Sequence, residues 1–316
     1  MIIMNILVTG ANGQLGKCIR DKVKSLKETE NTYIYSDVVG SDDADTEYLD
    51  IVDEEEVKKF VKNSHINVII NCAAYTNVDK AENDYEDAEA LNAIAPRNLA
   101  EAALSVGAKL IHISTDYVFN GMGFMPYTED RMTLPTSVYG LTKKMGEEYI
   151  QESGCKYLIF RTAWLYSEYG NNFVKTMLGL FCEKSEINVV NDQIGTPTYA
   201  GNLAELIVNI IERTTPLDGK DVIPLLENGI YHFTDEGVAS WYDFAYEIHE
   251  CWQHKVLGLC GINGVTTKEY GSKVRRPYYS VLDKTKYKKD FKGLYIPRSW
   301  HYGVQKVVEE LLNNRQ

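Results

Sequence analysis

Short runs of apolar, β-branched residues alternate with longer segments of helical period through the first half of the chain. Candidate strands fall at 4–9 (MNILVT), 32–38 (TYIYSDV), 67–73 (NVIINCA), 109–115 (KLIHIST) and 156–162 (KYLIFRT). Helical segments are expected near 15–27, 53–63, 79–106 and 137–153. The second opens on Asp53-Glu54-Glu55, acids that favour a helix N-terminus. Strand and helix in strict alternation predict an α/β fold, a Rossmann-type doubly wound parallel sheet covered by helices.

Beyond about residue 165 this rhythm loosens. Turn-rich pieces at Asn191-Asp192-Gln193-Ile194-Gly195-Thr196-Pro197 and Asp218-Gly219 break up the periodic segments. Residues 1–165 therefore read as a dinucleotide-binding domain and 166–316 as mainly a smaller C-terminal substrate-binding domain. A strand at 229–234 and a helix from Ser240 are exceptions in waiting: segments near 195–213 and 229–254 are placed to return to the first domain. The chain shows no internal repeat and no low-complexity linker.

Composition narrows the chemistry. A hydrophobic share of 44% and a charged share of 25% are ordinary for a globular chain of 316 residues. A net charge of -12, from 45 acidic and 33 basic residues, repels phosphate backbones and excludes nucleic acid as a partner class. An anionic small ligand then needs local help from backbone N–H groups, a helix N-terminus or a placed Arg. The six cysteines are scattered without a C-x-x-C pair and follow no signal sequence, which fits a reducing cytoplasm. The apolar run Met1-Ile2-Ile3-Met4 stops at Asn5, far short of a membrane span, so no membrane partner is expected.

One turn meets the need for backbone donors. Leu7-Val8-Thr9-Gly10-Ala11-Asn12-Gly13-Gln14-Leu15-Gly16 follows an apolar strand and opens a helical pattern, the place where a dinucleotide fingerprint must sit. Its glycines allow a tight turn, close approach of backbone to a pyrophosphate, and helix against strand. Asp37 ends the second strand 21 positions after Gly16, a suitable separation for a carboxylate on the adenine ribose hydroxyls. Val38 and Val39 follow it rather than Arg; without a cradle for a 2′-phosphate the turn leans toward NADH.

Tyr139 and Lys143 stand at i and i+4, on one face of a helix. An ammonium near a phenol favours phenolate, so the Tyr139 pKa is expected to move toward neutrality. Ser114 and Thr115 fall at the C-terminal end of the fourth strand, where open α/β sheets gather ligands. A Thr115 hydroxyl there can polarise a keto group while Tyr139 protonates it. His249, Cys251, His254 and Cys260 cluster in sequence, but fit no zinc spacing and are read as packing and surface residues.

With these residues in view, the chain resembles the dTDP-4-dehydrorhamnose reductase family of the extended short-chain dehydrogenase/reductase superfamily, over nearly its whole length. Matching segments are LVTGANGQLG at 7–16, NCAAYTNVDKAE at 71–82, LNAIAPRNLA at 91–100, STDYVFNG at 114–121, VYGLTKKMGE at 138–147, RTAWLY at 161–166, DQIGTPTYAGNLAE at 192–205 and RRPYYSVLD at 275–283. The resemblance implies an enzyme in which Thr115, Tyr139 and Lys143 form a catalytic triad, and in which NADPH or NADH reduces the C4 keto group of dTDP-4-dehydro-6-deoxy-L-mannose to give dTDP-L-rhamnose. It places Gly10, Gln14, Leu15 and Gly16 at the pyrophosphate, Asp50 and Ile51 at the adenine, and Ala73, Ala74 and Thr76 along the nicotinamide half; Asn12, Gly13, Tyr139 and Lys143 are also read as cofactor-binding. Val78, Asp116, Tyr117 and Trp164 correspond to sugar contacts, and Arg276 suits the nucleotide portion of a dTDP-linked deoxysugar. It also brings a homodimer, and Mg²⁺ at a glutamate-rich dimer contact whose ligands no pattern here places. Two alternatives stay open. One is a non-catalytic dinucleotide-binding subunit like the methionine adenosyltransferase β subunit; the other is a ketoreductase or epimerase for another nucleotide deoxysugar. Dehydratases of the superfamily usually carry Asp-Glu after the active-site Thr; Asp116-Tyr117 here disfavours that reaction.

Overall fold

A computed structural model describes residues 3–39, 45–213, 228–253, 260–272 and 274–313. The Asp218-Gly219 turn and His254 lie outside the described residues. Seven parallel strands form the main sheet. Six are β1 (Asn5–Thr9), β2 (Thr32–Asp37), β3 (Thr46–Tyr48), β4 (Ile66–Asn71), β5 (Lys109–Thr115) and β6 (Lys156–Thr162). The seventh, Gly229–His232, lies outside β6 with Tyr231 opposite Phe160. Across the sheet the order is Gly229–His232, β6, β5, β4, β1, β2, β3. Direction of winding reverses between β1 and β4, which opens a crevice beyond their C-terminal ends.

The strands are apolar on both sides because both faces are covered. On one face Ile6, Val8, Ile111 and Phe160 pack under α1 (Gln14–Lys24) and α8 (Ala200–Glu212). On the other, Leu7, Ile69, Leu110 and Ile159 pack under α2 (Glu54–Asn63) and α5 (Ala95–Val106). The segment 195–213 thus places its helix beside α1, against the sheet. The segment 229–254 divides: its strand joins the sheet, while α9 (Trp241–Gln253) enters a separate core with α7 (Phe173–Glu183) and the helix Trp300–Asn313.

The expected continuous helix over 79–106 is broken. It consists of α3 (Val78–Ala81), α4 (Tyr85–Glu89), a wide π turn at Ala90–Ile94, and α5. Asp84 leaves helical geometry at φ -118°, ψ 51°. Pro96 sits in the first turn of α5, and its missing N–H cannot continue an α register from the preceding turn. Asn92 on the wide turn is turned inward, accepting from Tyr75 N at 2.9 Å and donating to Tyr75 O at 3.1 Å. The break therefore fixes the 73–76 loop over the crevice.

The helix α6 (Val138–Glu152) begins at Ser137, whose hydroxyl accepts from Gly140 N at 3.1 Å. It lies so close to the end of β5 that a Cβ on Gly140 would stand 2.3 Å from the Tyr117 carbonyl oxygen. A buried ion pair ties its middle to the sheet. Arg161 of β6 donates Nε and Nη2 to Glu147 at 2.9 and 2.7 Å, and Ser114 of β5 donates to the same carboxylate at 2.5 Å.

Removing one member of such a pair leaves the buried charge of the other uncompensated. Glu147→Ala is expected to lose about 3–5 kcal/mol of stability. Urea unfolding reads this as a fall in midpoint; a variant that unfolds at the wild-type midpoint would contradict the packing described.

Candidate active site

A cavity of about 690 Å³ occupies the crevice, over the C-terminal ends of β1, β4, β5 and β6. Its floor begins at the glycine turn. Gly10 holds φ +64°, and a Cβ there would lie 2.5 Å from Ala73 N, so this turn and the 73–76 loop can approach only without a side chain. Gly13 caps α1 without a side-chain hydrogen bond, and the first turn carries no acid. Backbone donors and the positive end of the helix dipole consequently face the cavity uncontested.

Gly10, Gly13, Gln14, Leu15, Asp37, Ile51, Ala73, Ala74 and Thr76 line this cavity. Asn12, Gly16 and Asp50 are not among its lining residues. Asn12 donates its N–H to Asp37 Oδ2 at 3.0 Å and its Nδ2 to Val39 O at 2.7 Å, which holds the β2 end against the glycine turn. Asp50 accepts from Val52 N at 2.9 Å in the turn before α2. The donor set fits a dinucleotide: bare helix N–H groups for a pyrophosphate, a carboxylate at the β2 end for ribose hydroxyls, and the small side chains of Ala73, Ala74 and Thr76 along the lining.

At the inner end, Thr115, Tyr139 and Lys143 line the same cavity, as do Val78, Asp116, Tyr117 and Trp164. The Thr115 hydroxyl donates to Asp116 Oδ1 at 3.0 Å and accepts from Tyr117 N at 3.2 Å. Tyr117 meets Tyr139 edge-on with ring centroids 5.5 Å apart. Lys143 is buried, with Nζ 2.6 Å from the Ile113 carbonyl and 3.2 Å from His112 Nε2.

One expectation is corrected here. Tyr139 is not drawn toward neutrality: burial pushes it up to about 12, partly offset by the neighbouring Thr115 hydroxyl and reinforced by the Asp116 carboxylate. The reason lies with its neighbour. Burial pulls Lys143 down to about 8, against the Glu147 carboxylate, and its nitrogen is engaged with β5 rather than with the phenol.

Arg276 is placed elsewhere. It borders a second cavity of about 790 Å³, walled by Phe173, Met177, Tyr270 and Trp241. Its Nη2 meets Asp79 Oδ2 at 2.6 Å and its Nη1 donates to Ser272 Oγ at 2.8 Å, bridging α3 to Ser272.

Three residues were missed in the sequence. Trp241 borders both cavities and stacks on Trp164 at 3.7 Å between centroids; no spacing links two residues so far apart. Trp164 itself takes φ +48°, a costly conformation for a bulky residue. His112 and Asn71 are fully buried. A histidine inside KLIHIST and an asparagine inside NVIINCA were visible signals, since a buried polar group must find a partner. Among the described residues, no group of three or more His, Cys, Asp or Glu could hold a metal ion, and no helix is long and apolar enough to cross a membrane.

Comparison with known proteins agrees with this architecture. The family model for the RmlD substrate binding domain matches residues 4–313. The dTDP-4-dehydrorhamnose reductase of Escherichia coli K12 is 39% identical over 311 residues, 98% of each chain. A solved dTDP-4-dehydrorhamnose reductase of Clostridium acetobutylicum superposes with a TM-score of 0.83 at 40% identity, covering 98% of this chain and 100% of that one. That of Bacillus anthracis, solved in complex with NADP, gives a TM-score of 0.81 at 36% identity over 98% and 100% of the two chains.

Burial raises the Asp116 carboxyl from 3.8 to about 6, with the Ser280 and Thr115 hydroxyls opposing. A raised folded-state pKa favours the protonated form in the fold. Its contribution is complete below about pH 4 and is lost as pH rises through about 6. Asp116→Asn, neutral at every pH, is expected to gain about 1–3 kcal/mol on wild type between about pH 4 and pH 7. Paired urea titrations across that range check it; a difference independent of pH would refute the shift.

Proposed function

The chain belongs to the RmlD family of dTDP-4-dehydrorhamnose reductases, and from that premise we propose that it reduces the C4 keto group of dTDP-4-dehydro-6-deoxy-L-mannose to give dTDP-L-rhamnose. NADPH or NADH supplies the hydride when bound. The observation that carries this reading is the cavity itself, in which Thr115, Tyr139 and Lys143 share one wall with Asp116, Tyr117 and Trp164 while the glycine turn forms the other end.

The protein's part is to hold the ketone and deliver a proton. A carbonyl oxygen seated between the Thr115 and Tyr139 hydroxyls meets two donors where negative charge develops. Because burial keeps Tyr139 as a phenol, it has a proton to give. Donation to the oxygen, with hydride reaching the carbon, converts C=O to CH–OH and leaves a phenolate. Lys143 lies one helical turn on and faces the same cavity, so its nitrogen is available for a ribose hydroxyl and for the return of a proton. Asp116 and the Trp164–Trp241 stack supply a hydrogen-bond acceptor and an apolar platform, the usual pair of features in a sugar site.

The bare α1 terminus, with Gln14 and Leu15, would take the pyrophosphate, Asp37 the ribose hydroxyls, and Ile51 the adenine. Arg276 suits the dTDP diphosphate, since its planar fork pairs with phosphate oxygens; Asp79 would yield it on binding. This assignment makes residues 1–165, with the strand and helix that return to them, the dinucleotide-binding part, and most of 166–316 the substrate part.

Tyr139→Phe removes the proton donor and little else. Turnover of the 4-keto sugar, followed by loss of nicotinamide absorbance, is expected to fall about 10²–10⁴-fold, with cofactor binding retained. A variant as active as wild type would exclude Tyr139 as the acid.

A further inference from the structure

Gln14, the first residue of α1, lines the cavity, yet its side chain is held from the far half of the chain. Its oxygen, Oε1, accepts from Asn172 Nδ2 at 3.0 Å and from the Ser167 hydroxyl at 3.2 Å. Ser167 is fully buried. Asn172 is the N-cap of α7, which packs in a core separate from the one that holds Leu15 of α1. The same Asn172 nitrogen donates to the Ser167 and Tyr169 carbonyls at 2.7 and 3.1 Å, gathering 167–172 into a compact loop. Gly170 on that loop takes φ +59°, and a Cβ there would lie 3.0 Å from Gln14 Cγ. Gly170 and Asn171 line the cavity beside Gln14. The loop is therefore seated directly on the glutamine.

A backbone N–H sets the direction of both amides. Lys175 N can only donate, and it lies 3.2 Å from Asn172 Oδ1, so the end of Asn172 that faces the loop carbonyls and Gln14 is nitrogen. Nitrogen donates; Gln14 must present its oxygen to the loop. The Gln14 nitrogen, with two N–H donors, is what remains for the cavity, and no partner among the described residues takes it. A glutamine without such a hold could turn over and show an anion its oxygen instead.

From this geometry we infer that Asn172 is a positioning residue for Gln14, fixing the amide with both N–H groups on the cavity side, where they join the bare N–H groups of α1 as donors to a diphosphate. The Ser167 hydroxyl holds the same oxygen. The residue that caps a helix of the second core thus orients a donor of the first, so the cofactor end of the cavity is complete only when the two cores are docked. The role toward a diphosphate rests on the dinucleotide reading of the cavity; the amide direction does not.

Two measurements test the inference separately. Neutron diffraction of ligand-free wild-type crystals locates the Gln14 amide hydrogens: they are expected on the cavity side, and hydrogens facing Asn172 overturn the inference whatever the cavity binds. A double-mutant cycle then reads NADH and NADPH binding by nucleotide fluorescence. Asn172→Ser keeps a capping oxygen for α7 but is too short to hold Gln14. It is expected to weaken dinucleotide binding about 10-fold or more in the wild-type background, and less than about twofold in Gln14→Ala, where no amide is left to orient. A purely structural Asn172 costs the same in both backgrounds; equal losses, or no loss in the wild-type background, contradict the role. Where Asn172→Ser does not fold, Asn172→Asp, which also caps α7 but turns an acceptor toward Gln14, runs the same cycle with the same expected pattern. Wild-type protein that binds neither dinucleotide would overturn the cofactor reading, and the diphosphate role with it; wild-type binding with equal losses overturns the role of Asn172 alone.

Discussion

The close approach of α6 to the end of β5 is the constraint on which the site depends. At Gly140 the helix backbone meets the Tyr117 carbonyl with no room for a Cβ, and at Gly146 a Cβ would lie 2.2 Å from the Asn92 carbonyl oxygen. These two contacts fix the depth and the rotation of the helix. Tyr139, Lys143 and Glu147, at i, i+4 and i+8, then turn together toward the sheet. A bulkier residue at either glycine would lift that face and part the phenol from the Thr115 hydroxyl.

Burying this face has an electrostatic consequence. Glu147 is matched by Arg161 and Ser114, Lys143 by His112 and the Ile113 carbonyl. A buried ion pair adds little stability over well-packed apolar residues; what it contributes here is a defined register between α6, β5 and β6. The same dry surroundings move Tyr139, Asp116 and Lys143 toward their uncharged forms, up to about 12, up to about 6 and down to about 8. Tyr139 and Asp116 thereby keep their protons more firmly, so the Tyr139 phenol has one to give to a ketone oxygen.

Much of this was legible before any coordinates. The β-branched runs located β1, β2, β4, β5 and β6 to within a residue or two, because a sheet covered on both faces needs unbroken apolar strands. The glycine turn and the Tyr139–Lys143 pair were readable since each depends on local spacing. What escaped depends on contacts between distant segments. The helix expected over 79–106 breaks where Pro96 and Asp84 override its amphipathic period, and Trp241 reaches the cavity only by stacking on Trp164. The Tyr139 shift was expected in the wrong direction because i, i+4 spacing shows proximity along a helix but not which partner on β5 has already claimed the lysine.

The central claim, that this cavity passes hydride to a sugar ketone and a proton to its oxygen, is tested most directly by following the label. Incubation with a nicotinamide dinucleotide deuterated at its reactive carbon and dTDP-4-dehydro-6-deoxy-L-mannose should yield dTDP-L-rhamnose carrying one deuterium at sugar C4, seen by mass spectrometry and NMR. Product without deuterium at that carbon, or no product with either dinucleotide, would contradict it.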